Sequence, residues 1–327
     1  VFQNHLDSLG EWSDSLLLYD ELTPSNTPVY FSKFAGHIQE NGLQYLAEAD
    51  FQMPMPGVLP AEVFEKISDK VKSQVDLEQY LDFYRMRMFR QSLLCHAEAE
   101  LPGSIDAAPV AHLYVSALAQ PEGAVEPTDT AIAVFKSPRD RSLNTNHPLT
   151  KAAMLHLIDS WPRAVPFAEL VEAATARLRG RGKPAQDAAA RSAVTLGLNL
   201  VRAFAHGPGL VFLHAFSPEV AMAETARPLT RAMARLQAVR GHEVTNVFHD
   251  NIGLPKLALQ ILALLDGSRD HAALCGELLS LVRRGAADVG AYREGALAAL
   301  AADDPAVVAA AVTENLEILR RMGLLLK

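Results

Sequence analysis

Three guanidiniums sit inside one aromatic stretch of this 327-residue chain: Arg85, Arg87 and Arg90, within DLEQYLDFYRMRMFRQSLLCHAEAE at residues 76–100. Asp82 shares their turns, and Glu48 and Asp50 lie in an earlier aromatic segment. A guanidinium among apolar side chains must be paired, placed at an edge or offered to a ligand, because a bare buried charge is prohibitively costly. Ion pairing with Asp82, Glu48 or Asp50 is the plainer outcome. A small-molecule pocket built on Arg87, Arg90 and Glu48 is the alternative. His96 follows at the end of the stretch, where an imidazolium would sit well against a helix dipole.

Other chemistry is hard to find. No Gly-rich loop of the G-x-G-x-x-G kind follows a predicted strand. Gly180 and Gly182 fall in a basic loop, and Gly207 and Gly209 follow a helix rather than open one. None of these would bring a phosphate or ribose to a helix N-terminus, as a nucleotide fold requires. G-x-S-x-G, H-E-x-x-H and CxxC are absent. His147 and His156 stand nine residues apart, which is no chelating pair, and His242-Glu243 and His249-Asp250 read as solvated loops. No residue is assigned to catalysis or to a metal.

The elements that must position the arginines are read from spacing. Val29–Glu40 is predicted to be a helix, stopped by Asn41-Gly42 because Gly tolerates the left-handed backbone that ends helices. A short strand is expected at Leu43–Ala49. MPMPGVLP reads as a rigid loop, Ala61–Val75 as a helix, and Asp76–Glu100 as one long helix capped by Asp76 with Gln79 at the capping-box position. Leu77, Leu81, Tyr84 and Met88 would form its apolar stripe.

Beyond Leu101 the sequence loosens around several prolines, with strand-like runs at Ala111–Ala117 and Ala131–Lys136. A domain boundary is placed between Phe135 and Thr145. HPLTKAAMLHLIDSWPR, VPFAELVEAATARL and DAAARSAVTLGLNLVRAFA read as three helices followed by the strand LVFLHAF, a winged-helix order. Arg177, Arg179, Arg181 and Lys183 precede the third helix. That helix offers little beyond Arg191 and Arg202 to reach DNA, so a solvated loop is the better reading. A short strand at Val244–Phe248 and helices at Pro255–Leu265, His271–Arg284 and Asp304–Leu326 complete the chain.

Composition sets the outer limits. Apolar residues make up 49% and charged residues 21%, ordinary for a globular protein, and the net charge of −8 argues against broad binding to nucleic acid or anionic membranes. Cys95 and Cys275 are the only cysteines and read as free buried thiols. No apolar run reaches membrane-spanning length and no signal-peptide pattern opens the chain, which fits a cytoplasmic setting. The sequence begins at Val1 rather than Met, so an upstream portion is expected.

NTPVYFSKFAGHIQENGLQYLAEADF, followed by EQYLDFYRMRMFRQSLLCHAE, resembles the methyltransferase regulatory domain of bacterial proteins. In that family it follows an S-adenosylmethionine-dependent, Rossmann-like catalytic domain. HPLTKAAMLHLIDSWPRAVPF and LLDGSRDHAAL are similar to the helical, winged-helix-like C-terminal region of the same proteins, a group that includes enzymes resembling bacterial protein-lysine methyltransferases. The resemblance implies a mainly α chain with small β elements (α+β). A helical regulatory domain at residues 1–140 would precede a winged-helix-like region at 141–327. It implies a regulatory, substrate-engaging role, with a catalytic methyltransferase domain as partner in cis or in trans and a protein acceptor as substrate. S-adenosylmethionine would be bound by that partner, with no cofactor held by these residues. A stand-alone winged-helix interaction or DNA-binding regulator is the other expectation. Tyr30, Glu48, Arg87, Arg90 and His96 lie in the best-matching segments and are the candidate contact residues.

Overall fold

The computed structural model describes residues 17–49, 61–101, 107–138, 141–178, 186–205, 209–223, 225–241, 243–284 and 304–327, together with Leu6, Leu9, Gly10, Trp12 and Asp14. The MPMPGVLP segment, Asp50, the basic loop at 179–183, His242 and the Gly207-Pro208 break lie outside the described residues. The protein is α+β, mostly helical with small antiparallel sheets. It divides into two compact units, Val1–Gly103 and Ser104–Lys327.

In the first unit, α1 (Phe31–Glu40) buries Phe31, Ala35 and Ile38, an i, i+4, i+7 set on one face. The sequence reading of its end holds. Asn41 closes the helix and Gly42 follows in the left-handed region at φ +72°. The chain then enters β1 (Leu43–Glu48). Next come α2 (Ala61–Ile67), α3 (Gln74–Arg85) and β2 (Ser92–His96). β1 and β2 pair antiparallel from Leu43↔His96 to Glu48↔Ser92, with a bulge between Tyr45 and Ala47.

The long helix expected over Asp76–Glu100 is therefore corrected. α3 starts earlier, because the Ser73 side chain accepts from Asp76 N–H while Asp76 accepts from Lys72 N–H, making Ser73 the cap. It stops at Arg85, where Met86 turns left-handed (φ 51°, ψ 44°). Arg87 N–H then donates to Asp82 O and Met86 N–H to Phe83 O. That is the hydrogen-bond pair of a Schellman ending, with methionine where glycine is usual. The helix expected over Ala61–Val75 likewise ends at Ile67.

The second unit contains a three-stranded sheet ordered β7-β3-β8, from Val165–Pro166, Tyr114–Ser116 and Phe212–His214. A second sheet orders β4-β5-β6, from Gln120–Pro121, Ala133–Lys136 and Ser142–Thr145. The helices read from sequence appear as α4 (Pro148–Ser160), α5 (Phe167–Leu178) and α6 (Gln186–Ala205), with β8 after them. α7 (Ala232–Arg240) leads to a hairpin of β9 (Glu243–Thr245) and β10 (Asn251–Gly253), then to α8 (Lys256–Ala263), α9 (His271–Arg283) and α10 (Pro305–Arg321). Leu257, Leu262, Leu278, Val312 and Leu319 are wholly buried in one apolar cluster spanning these helices.

α10 ends short of the expected Leu326, because Gly323 (φ +68°) turns the chain back. Leu326 N–H donates to Leu229 O, and Ala221 N–H to Leu325 O. A Cβ on Gly323 would meet the Phe248 ring at 2.6 Å, so only glycine fits there. The winged-helix-like segments are knit together by aromatic rings. Trp161 stacks on Phe248 at 4.9 Å between centroids and donates Nε1–H to Arg321 O at 2.6 Å.

Candidate ligand and partner site

The first unit is centred on Arg90. Its guanidinium takes Glu48 at 2.5 Å through Nη1, and Asp82 through both Nε and Nη2 at 2.8 Å. Nη2 also donates to the Glu78 carboxylate at 2.8 Å and to the Glu78 carbonyl at 3.1 Å. The flat face of the same group lies 3.9 Å over the centre of the Phe31 ring. Arginine alone has the planar fork needed to serve several carboxylates while stacking on a ring. The break at Met86 makes this possible, since it carries Arg90 back alongside Glu78 and Asp82 of α3 and opposite Glu48 at the end of β1.

Glu48 is equally committed. Its oxygens accept from Arg90, from the Tyr45 hydroxyl at 3.1 Å, from Ser92 Oγ at 3.0 Å and from the Gln91 backbone N–H at 3.2 Å. Burial works against its charge, but the hydrogen bonds and charge of Arg90, with Ser92 and Tyr45, outweigh it and hold the carboxyl below its ordinary value. Burial, then the Glu78 and Glu48 charges, push the Tyr45 phenol well above its usual range, so it stays a neutral donor. Burial also opposes the charge of Arg90, yet hydrogen bonds to Asp82 and Glu78 more than compensate and fix it as a cation.

Arg87 differs. Among the described residues its ion-pair partner is Asp82, whose Oδ1 is 3.6 Å away, beyond hydrogen-bond range, and is already held by Arg90. Its buried Nη1 has no hydrogen-bond partner among the described residues. Arg87 lines two adjoining lobes of a surface cleft, of about 260 and 400 Å³. Phe34, Phe89, Arg90 and Ser92 wall the smaller lobe, Tyr30, Gln79, Phe83 and Met86 the larger; Val29, Phe31, Asp82 and Met88 belong to both.

The five candidate contact residues thus separate. Glu48, Arg87 and Arg90 come together around Asp82. Tyr30 stands at the rim, exposed, edge-on to Phe83 with ring centroids 5.7 Å apart. His96 does not join them. It closes β2 at the end of the two-stranded sheet opposite Glu48↔Ser92, and its carbonyl accepts from Gln44 Nε2 at 3.0 Å. The expectation that it sits against a helix dipole falls with the long helix, and a pocket on a 76–100 helix becomes a cleft between α1, α3 and the 86–92 segment. Sequence reasoning missed Glu78, Tyr45 and Phe31. Glu78 was visible as i−4 to Asp82 on the same helix face.

Two family descriptions match the chain. "Predicted methyltransferase regulatory domain" matches residues 13–96, the segment that builds the cleft. "PKMT, C-terminal winged helix domain" matches residues 226–324. The chain carries a methyltransferase regulatory domain and a PKMT winged helix domain. The winged-helix order read from sequence over 147–216 lies upstream of that second match, within the same compact unit. "Uncharacterized protein RP789" of Rickettsia prowazekii (strain Madrid E) is 24% identical over 304 residues, covering 90% of this chain and 53% of the relative. The chain therefore spans about half that relative's length. PKMT2 from Rickettsia typhi, solved in complex with AdoHcy, is 21% identical with a TM-score of 0.76 over 99% of this chain and 63% of its own. A second structure of that protein gives 21% and 0.77 over 100% and 64%. At this identity the likeness shows the fold.

Proposed function

We propose that this chain is the regulatory and substrate-engaging part of an S-adenosylmethionine-dependent methyltransferase, working on a catalytic domain that it contacts in cis or in trans. The observation that carries the reading is the pairing of the two matched domains in one chain, one a methyltransferase regulatory domain and the other a PKMT winged helix. The first unit supports it physically. Its charged centre is internally satisfied around Arg90, while Val29, Tyr30, Phe83, Met86, Met88 and Phe89 are left exposed around the cleft. A contiguous apolar surface of this kind marks an interaction site. The related PKMT2 was solved with AdoHcy, and in this reading the cofactor belongs to the catalytic domain.

The test mixes this chain with a separately produced catalytic segment, taken from the part of the PKMT2 chain that this chain does not cover. Association is followed by analytical ultracentrifugation, and methyl transfer to a protein acceptor is measured with and without the chain. The reading expects association and a changed rate or acceptor range. Two species that sediment independently, with an unaltered rate, would contradict it.

A further inference from the structure

Among the described residues, the cleft beside Arg90 contains a guanidinium, that of Arg87, whose Nη1 has no hydrogen-bond partner. Arg90 consumes the hydrogen-bonding capacity around it, taking Asp82 with two nitrogens and reaching Glu48 and Glu78 with the others. Of those three carboxylates only Asp82 faces the cleft, and both of its oxygens are held. Arg87 lies in both lobes, keeps 20% of its side chain accessible and stands 3.6 Å from an acid that is already engaged. A guanidinium with one buried, unbonded nitrogen calls for an acceptor, because Nη1 has given up water without return while the rest of the group stays within reach of the cleft.

A second observation is independent of charge. Met86 holds a left-handed backbone that an L residue adopts at a cost of about 1–2 kcal/mol, and 64% of the residue stays exposed, so little packing offsets that cost. What the turn achieves is position. It ends α3 and swings Arg87, Met88 and Phe89 to the mouth of the cleft, the last two left 75% exposed. Such outliers gather where a binding surface is being shaped. The walls are aromatic rings and methionines, which adapt to flat apolar bodies.

We infer that the cleft between α1, α3 and the 86–92 segment is a binding site for a small aromatic anion, its ring between Phe34, Met88 and Phe89 and its acid group on Arg87. The site goes beyond the regulatory reading; it shares exposed Met88 and Phe89 with that reading's interaction surface, but its test needs no catalytic domain and so fails separately.

The test compares two dyes with one ring system on the whole chain, anilinonaphthalenesulfonate and the uncharged N-phenylnaphthylamine, by fluorescence titration. A charge-assisted hydrogen bond predicts about tenfold or greater preference for the anionic dye in the wild type, abolished in Arg87→Met. Phe89→Ser, at an exposed position with little bearing on folding, should weaken both dyes by a similar several-fold factor. The inference is overturned if the wild type binds the two dyes equally or binds neither. It is equally overturned if the preference survives Arg87→Met, or if Phe89→Ser leaves both titrations unchanged. Should Arg87→Met lose its far-UV circular dichroism, the wild-type ratio and Phe89→Ser decide.

Discussion

The two compact units are held together by opposite means. In residues 104–327 the centre is hydrocarbon: Leu257, Leu262, Leu278, Val312 and Leu319 are shut off from water, and the buried Thr230 Oγ1 donates to Leu324 O at 2.6 Å. In residues 1–103 a guanidinium occupies the middle and the large apolar side chains turn outward; Phe31, Ala35, Ile38 and Leu81 are the buried apolar residues among those described. Area removed from water stabilises the second unit generously. The first unit stakes its shape on one multiply bonded ion cluster. The difference separates a unit built to be firm from one built to display a surface.

Changes at the two centres should break this contrast most forcefully. Arg90→Met would strand Glu48, Glu78 and Asp82 as half-buried charges, and removing one partner of a buried ion cluster costs about 3–5 kcal/mol. Urea unfolding should show the loss in a transition of the first unit alone, with the second unmoved. Leu262→Ala should do the reverse, costing about 2–5 kcal/mol in the second unit through lost transfer energy and a cavity. One shared transition for both variants would erase the distinction.

Acid should sharpen the contrast with a smaller effect. In the second unit, burial lowers the affinity of His147, His156 and His214 for a proton, with the Arg177 charge adding to this at His156. The unfolded chain then binds protons that the folded one refuses. Stability is fully present above the ordinary histidine value near 6.5 and falls as pH drops below it toward the folded values. Glu48 is displaced in the same direction, below its own ordinary range, so its window lies at lower pH. Its contribution persists until pH falls below the ordinary carboxyl value near 4.5 and is lost through the lower folded value. Urea midpoints between pH 7 and 5 should therefore drop first for the second unit. A first unit that weakens earlier would contradict the assignment of these groups.

The smallest expected effect is at Met86. Glycine relieves the left-handed strain but frees the unfolded chain, so Met86→Gly should shift stability by less than about 1 kcal/mol, toward gain. A marked loss would mean that the Met86 side chain holds the unit together, against its exposure.

What was legible follows from where the information lies. α1, the Asn41-Gly42 stop and β1 are written locally, in a 3.6-residue apolar spacing, a glycine and a run of β-formers. The helices of the second unit, α4, α5, α6, α8 and α9, were readable for the same reason. The break after Arg85 was not, since its left-handed position carries methionine instead of glycine and the stop is set by Arg90 reaching back to Glu78, Asp82 and Glu48. Helix propensity across DFYRMRMFRQSLL ran on where tertiary ion pairing intervened. That these arginines would pair with Asp82, Glu48 or Asp50 follows from the cost of an unpaired charge, and Arg90 does take Asp82 and Glu48. That Arg87 would be left out required coordinates, because Asp82 was available to either arginine.

The regulatory reading is tested most directly by titrating S-adenosylmethionine into this chain in a calorimeter. The account predicts no heat of binding up to millimolar ligand, because the sequence offers no glycine-rich strand-to-helix turn to take an adenosyl group. Saturable micromolar binding would show that these residues hold the methyl donor themselves, and the accessory role would have to be given up.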